Sequence, residues 1–200
     1  MIRTGIFKLK INPVIRVLVV SDLLGLSGLT LILPLFAVFF SNRIQGGNVE
    51  VAGIAYTVYL LTKSFTQLPL AYILDKTKGE IDDFNLMFLG SIIISFIPIF
   101  YLFIKTPLHL YLVQFIFGFG QALTFPSYMA IFTRHIDRDE EGTEWGFYYT
   151  VIDLAGAAAM AVGGAIAYNM GYKPFFITIS LLSLASSFWL LAIKKQMKAK

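Results

Sequence analysis

The chain reads DLLGLSGLTLILP over residues 22–34 and QFIFGFGQALTFP over residues 114–126, and the two stretches align at a shift of 92 residues. Identical residues recur at this shift, or at a shift of 93: Gly28 with Gly120, Pro34 with Pro126, Thr57-Val58 with Thr150-Val151, and Ser95-Phe96 with Ser187-Phe188. The sequence therefore predicts an internal repeat. One unit covers about residues 12–104, and the other covers about residues 105–194.

The composition is that of a membrane protein. Hydrophobic residues make up 57% of the 200-residue chain and charged residues 14%, whereas soluble domains carry about 25% charged residues. There is no cysteine, which excludes disulfides and thiolate metal sites. His109 and His135 lie near loop ends without metal-ligand spacing. We expect no cofactor, no metal site, no enzymatic activity and no nucleic-acid partner.

Six segments are long and apolar enough to cross a bilayer, which needs about 20 apolar residues. They are residues 14–40, 49–74, 84–104, 108–133, 145–168 and 174–193. The predicted fold is thus an all-α membrane protein, with residues 1–200 as a single domain of six transmembrane helices. Because each repeat unit holds three spans, the two units must have opposite orientations in the membrane. Such 3+3 inverted repeats are typical of secondary transporters.

Basic residues predict the orientation of these spans. Twelve of the sixteen fall on one side: Arg3, Lys8, Lys10, Arg16, Lys76, Lys78, Arg134, Arg138, Lys194, Lys195, Lys198 and Lys200. The other side has Arg43, Lys105 and Lys173, and Lys63 lies within a span. The positive-inside rule then places both termini in the cytoplasm. We expect a multi-pass protein of the cell (inner) membrane.

Glycines and prolines lie within the predicted spans rather than between them: Gly25, Gly28, Gly118, Gly120, Gly156, Gly163, Gly164, Pro34 and Pro126. Small residues let helix backbones approach closely in a membrane, and proline bends a helix. Tight packing is one interpretation of this pattern. A functional bend is the other, and it is favoured at Pro34 and Pro126 because the repeat makes them equivalent.

Three charged residues, Asp22, Lys63 and Asp153, lie inside predicted spans, where a charge costs roughly 2.5–3.5 kcal/mol on insertion scales. Their positions along the helices place them at similar depth. Polar residues also recur at helical spacing on three of the predicted helices. The polar faces comprise Tyr56, Tyr59, Lys63 and Gln67 on the second helix, Gln114, Gly118 and Gln121 on the fourth, and Tyr149, Asp153 and Gly156 on the fifth. We expect these faces to line a central pathway for substrate and protons.

The three charges leave one acid in excess. If Lys63 pairs with one aspartate, the other has no basic partner, and it could bind and release a proton near neutral pH. The same group would suit a cationic or polar solute, and a buried ion pair with one interhelical hydrogen bond is a purely structural alternative. Asp22 aligns with Gln114 and Lys63 with Gly156, so the repeat units share a packing frame but not their charges.

The loop after the second span reads AYILDKTKG, from Ala71 to Gly79. It resembles the G-x-x-x-D-[RK]-x-G-[RK]-[RK] motif in the amino-terminal six-helix half of the major facilitator superfamily. Asp75 and Lys76 match the motif, Ala71 replaces its first glycine, and Gly79 comes one place late. The resemblance implies that Asp75 latches a cytoplasmic gate; an ordinary solvated loop is the alternative.

Two further helices are similar to those of drug:proton antiporters within this superfamily. They are the first, from Asp22 to Pro34, and the fifth, with its small residues from Gly156 to Gly164. The fourth departs, because Gln114 stands where the family often has arginine.

The resemblance implies a secondary active transporter, and we expect a proton-coupled carrier of a small solute or drug that works by alternating access. Members of the superfamily usually have twelve spans, so we expect a homodimer or a homologous six-helix half as partner, within membrane lipid. Two alternatives stay open: a non-transporting membrane interaction or assembly protein, and an isolated half of a twelve-helix transporter.

Overall fold

The computed structural model describes residues 11–30, 39–40, 44–76 and 79–196. These residues form six long helices: α1 (Pro13–Thr30), α2 (Val49–Lys76), α3 (Glu80–Tyr101), α4 (Pro107–His135), α5 (Glu141–Met170) and α6 (Tyr172–Trp189). A short 3-10 helix, Leu190–Lys195, continues α6. Pro34 lies outside the described residues, so the bend predicted there stays a prediction.

The starts and ends of the helices follow local sequence signals. Asn12 and Asn48 cap α1 and α2, because their side-chain oxygens accept the amide hydrogens of residues two or three positions further on. Thr106 caps α4 in the same way, with Pro107 as the first helical residue. Gly171 has a φ of 83°, a left-handed conformation that lets α5 end and α6 begin within one residue.

Four segments of the described chain are long and apolar enough to cross a membrane: Glu80–Tyr101, Pro107–His135, Glu141–Met170 and Tyr172–Lys194. They correspond to the third, fourth, fifth and sixth predicted spans. The spans predicted at α1 and α2 stay predictions. A polar face that includes Tyr56, Tyr59 and Lys63 lowers the hydropathy of α2.

The helices pack in a regular pattern. α4 packs against α2 and α3, α1 packs against α5 and α6, and α3 packs against α6. The pattern is unchanged when α1 is exchanged for α4, α2 for α5 and α3 for α6. Two repeat units related by a two-fold axis would pack in this symmetric way, and the inverted orientation of the units stays a prediction.

Glycines permit the closest of these contacts. A Cβ atom at Gly118 would lie 2.5 Å from the backbone oxygen of Tyr59, and one at Gly25 would lie 2.7 Å from the Ser186 hydroxyl. At Gly120 it would lie 3.0 Å from Ile94. These three positions agree with the packing interpretation.

The glycines of α5 differ from these three. Apart from the chain neighbours and the backbone of α5 itself, no described atom lies within 4 Å of a Cβ built at Gly156 or Gly164, so the close contact with another helix expected at these two glycines is not made within the described part of the chain. Gly163 is buried. Gly28 is helical, but its surroundings lie outside the description. Pro126 lies inside α4 and is half-buried.

Two hydrophobic cores hold the helices together. One contains Phe40, Leu110 and Phe176, and the other contains Leu18, Phe84, Ile131 and Phe132. Each draws on both predicted repeat units, so these two cores join the units to each other.

Candidate functional site

A cavity of about 840 Å³ lies among the helices. Eight of the nine residues predicted for the substrate and proton pathway line it: Asp22, Tyr56, Tyr59, Lys63, Gln114, Gln121, Tyr149 and Asp153. Gln67 is not among these lining residues, and its place in the pathway stays a prediction. It follows Lys63 by one helical turn, about 6 Å further along α2, and its side-chain oxygen is buried without a hydrogen-bond partner among the described residues.

The cavity has two chemically different walls. Serines of α1, α3 and α6 form a hydroxyl-rich wall: Ser21, Ser91, Ser183, Ser186 and Ser187. Rings of α2, α4 and α5 form an aromatic wall: Tyr56, Tyr59, Phe117, Phe125 and Tyr149. The lining therefore offers a solute both hydroxyl groups and ring faces.

Asp22 is held by a tyrosine from a different helix. The hydroxyl of Tyr148 on α5 donates a hydrogen bond of 2.7 Å to Oδ2 of Asp22 on α1. The ring of Tyr128 on α4 lies 6.1 Å from that of Tyr148. Both tyrosines line the cavity, and both were missed by the sequence analysis. Tyr128 follows Gln121 by seven residues, a helical spacing that could have revealed it.

Lys63 does not pair with an aspartate in the described part of the chain. Its Nζ atom lies 4.6 Å from the ring centroid of Phe125 on α4. Gly118 lets α4 approach the backbone of α2 at Lys63, so the lysine side chain lies beside α4. The two aspartates belong to α1 and α5, which pack against each other.

Among the three charged residues of the cavity lining, Asp153 is the one without a hydrogen bond, ion pair or ring contact to another described residue. Its side chain is exposed, and it makes neither a hydrogen bond nor an ion pair with any residue of the described ranges. The buried residues of α5 include Tyr148, Gly156 and Gly163. Gly156 is not among the described lining residues, so only Tyr149 and Asp153 of the predicted α5 face line the cavity.

The predicted gate motif lies where α2 ends. Asp75 is exposed and forms no ion pair with a described residue. The next residue, Lys76, is the last of α2, and its Nζ atom lies 4.2 Å from the ring centroid of Tyr72. Ala71 is half-buried, and Gly79 is the extended residue before α3. A latch between Asp75 and an opposite half stays a prediction.

Another ion pair holds this end of the bundle. Arg134, in the last turn of α4, pairs with the fully buried carboxylate of Asp83 in the first turn of α3. His135 Nε2 lies 4.0 Å from the carboxylate of Glu80. Acidic groups at a helix start and basic groups at a helix end also complement the helix dipoles. This charge pattern was the available signal for the pair, and the sequence analysis did not use it.

Three carboxylates, of Asp137, Glu140 and Glu144, come within 4.8 Å of one another between α4 and α5. Asp137 and Glu140 are exposed, and the backbone amide of Asp137 donates to Glu144 at 3.2 Å. The cluster lies at the connection between the two helices and is not part of the cavity lining.

Comparison with known proteins identifies the class. The family model of the Major Facilitator Superfamily matches residues 18–200, and the chain belongs to this superfamily. It is accordingly a multi-pass membrane protein. No curated protein matches the sequence significantly.

Among solved structures, the fold is similar to the in meso crystal structure of the POT family transporter PepTSo. The TM-score is 0.78 at 15% sequence identity, and the match covers 95% of this chain and 39% of that chain. At this identity the likeness concerns the fold alone. Because the match covers 39% of the solved chain, this chain spans well under half of its length.

Proposed function

We propose that the protein is a secondary active transporter that moves a small solute by alternating access. The observation that carries this proposal is the cavity, which gathers two carboxylates and one ammonium group from α1, α2 and α5. Charged side chains inside membrane helices are costly and mark solute or ion pathways. Sites between repeat units are typical of secondary transporters.

Six helices make one side of such a pathway. The lining residues Asp153 and Tyr149 are exposed, as expected for a cavity that a second group of helices covers. We propose that a second copy of the chain, or a homologous six-helix half, supplies that group. The 3+3 inverted repeat, cytoplasmic termini and a gate contact by Asp75 belong to the same proposal.

Proton coupling would use Asp22 or Asp153. Neither carboxylate has a cationic partner among the described residues. Protonation removes the charge that makes an unpaired carboxylate costly within a membrane. Either group is therefore suited to take up a proton during the transport cycle.

The test is solute flux into proteoliposomes with and without a pH gradient. We expect the gradient to accelerate flux in the wild type and to lose its effect in Asp22→Asn or Asp153→Asn. Asp139→Asn is the matched control, because Asp139 is an exposed loop residue with a φ of 66° that asparagine also tolerates. Equal gradient dependence in all variants would remove both aspartates from the coupling mechanism.

Molar mass in nanodiscs tests the assembly. We expect the mass of two copies, or of one copy with a homologous partner. A monomer that transports nothing would favour the isolated half of a twelve-helix transporter or a non-transporting membrane protein.

A further inference from the structure

Two carboxylates, of Asp83 and Glu144, are almost fully buried, and they differ in their partners. Asp83, with 0% of its surface exposed, is paired with Arg134. Glu144, in the first turn of α5, is 2% exposed and forms no ion pair with any residue that the structure describes. A carboxylate that is buried without a cation is costly. Glu144 therefore lacks a compensating positive charge within the described chain.

One oxygen of the Glu144 carboxylate has a partner and the other has none. Oε1 accepts the backbone amide hydrogen of Asp137 at 3.2 Å. Oε2 is buried, and no described residue forms a hydrogen bond with it. Buried polar atoms are nearly always satisfied by a protein group, an ordered water or an ion. The unpaired oxygen therefore points to a ligand from outside the chain.

Two more carboxylates complete the cluster. Asp137 and Glu140 are exposed, and each has an oxygen within 4.8 Å of the other and of a Glu144 oxygen. Oxygens bound to one Ca²⁺ lie about 2.3–2.6 Å from the ion, and therefore at most about 5 Å from each other. The three carboxylates can thus bind one ion together, and the exposed pair gives that ion access from solution.

The basic residue beside this cluster does not neutralise it. Arg138 contacts Asp139 instead, with its Nε atom 3.9 Å from Oδ2, and the two side chains are 94% and 91% exposed. The start of α5 contributes about half a positive charge from its helix dipole, which offsets only part of three carboxylates. A divalent cation would offset most of the remainder.

We propose that Asp137, Glu140 and Glu144 form a binding site for a hard divalent cation, Ca²⁺ or Mg²⁺, at the connection between α4 and α5. All three donors are carboxylates, which suit these ions better than softer metals. The site is not part of the cavity lining, so this inference goes beyond the proposed function and does not depend on it. Cysteine and histidine patterns could not reveal the site, because it consists of carboxylates alone.

Terbium luminescence tests the site directly, because Tb³⁺ replaces Ca²⁺ at carboxylate sites and is excited by a nearby tryptophan. Trp145 follows Glu144 in the sequence, and Trp189→Phe removes the other tryptophan. The full chain is purified in detergent, stripped with EDTA and titrated with Tb³⁺. We expect a saturable signal that Ca²⁺ or Mg²⁺ displaces at concentrations up to about 1 mM, the weak end of protein calcium sites. The ion that displaces Tb³⁺ at the lower concentration is the preferred ligand.

Glu144→Gln is the decisive variant, because glutamine can keep the hydrogen bond from the Asp137 amide and loses the charge. We expect it to weaken Ca²⁺ binding about tenfold or more, since the number of charged ligands sets the affinity of calcium sites. Glu140→Gln should weaken it in the same direction. Asp139→Asn is the matched control, because Asp139 lies in the same connection but contacts Arg138, and it should leave the affinity unchanged.

Thermal unfolding in detergent gives a second measurement. In EDTA, Glu144→Gln should melt at a higher temperature than the wild type, because the substitution removes an unpaired buried charge. Ca²⁺ at one hundred times its dissociation constant should raise the melting temperature of the wild type by about 5 °C. It should leave that of Glu144→Gln unchanged. NaCl at equal ionic strength is the control for charge screening.

The absence of a saturable Tb³⁺ signal would overturn this inference, as would a signal that neither Ca²⁺ nor Mg²⁺ displaces. Equal affinities in Glu144→Gln and Asp139→Asn, or equal stabilisation by NaCl and CaCl₂, would also overturn it. If Glu144→Gln does not fold, Glu140→Gln decides the case, because Glu140 is exposed. None of these measurements requires transport, so a negative result leaves the proposed function intact.

Discussion

The Oγ atoms of Ser95 and Ser187 lie 3.1 Å apart at the contact between α3 and α6. The two serines are separated by 92 residues, the shift of the predicted internal repeat. Equivalent residues of two units related by a two-fold axis can touch only near that axis. The contact therefore supports a pseudo-two-fold axis that passes between α3 and α6.

A double-mutant cycle tests this contact. We expect Ser95→Ala and Ser187→Ala to couple by about 0.6 kcal/mol in unfolding free energy, the usual value for interhelical hydrogen bonds in membranes. Thr150→Ala is the control partner for Ser95→Ala, because Thr150 is exposed and bonds within its own helix. Additive effects in both pairs would show that the serine contact contributes nothing.

Gly118 should tolerate no side chain. A methyl group there would approach the backbone of α2 to 2.5 Å, so Gly118→Ala should destabilise the protein by about 1–3 kcal/mol. Gly156→Ala should be neutral or stabilising in the isolated chain, because no described atom lies near that site and alanine favours helix. Thermal unfolding in detergent measures both, and equal losses would contradict the prediction.

Arg134 should matter more than its exposed neighbour Arg138. Replacing Arg134 with glutamine leaves the buried Asp83 carboxylate without its cation, at a cost of about 2–3 kcal/mol. That is less than for a fully buried pair, because Arg134 is 37% exposed. Arg138→Gln should change stability by less than about 1 kcal/mol, since its pair with Asp139 is exposed. Adding Asp83→Asn to Arg134→Gln should recover part of the loss.

Tyr148→Phe should cost about 1 kcal/mol of unfolding free energy, because Asp22 then loses its hydroxyl donor. The adjacent Tyr149→Phe is the matched control. Its hydroxyl makes no hydrogen bond to a described residue, so little change is expected. If the two variants have the same stability, the hydrogen bond between Tyr148 and Asp22 is energetically unimportant.

The orientation can be tested by cysteine labelling, since the chain has no native cysteine. Lys105 and Arg138 are exposed at opposite ends of α4. We expect a membrane-impermeant maleimide added to intact cells to label Lys105→Cys and to spare Arg138→Cys. The reverse labelling pattern would place the termini outside the cell.

The helix faces that form the cavity could be predicted because lipid penalises polar groups. A residue such as Lys63 or Asp153 cannot face hydrocarbon without cost, and the helical period assigns its neighbours to the same face. The helical period identifies a face but not how far along the helix the cavity extends. Gln67 lies on the same predicted face as Lys63 but is not among the lining residues.

By itself, the sequence determined the helical class and the charged residues of the cavity, because composition and periodicity record which surfaces avoid lipid. Only the tertiary structure decided the partners across helices: Tyr148 for Asp22, Phe125 for Lys63 and Arg134 for Asp83. These pairings depend on which helices are neighbours and how closely their backbones approach. Residues distant in sequence control that approach, as Gly118 does between α4 and α2.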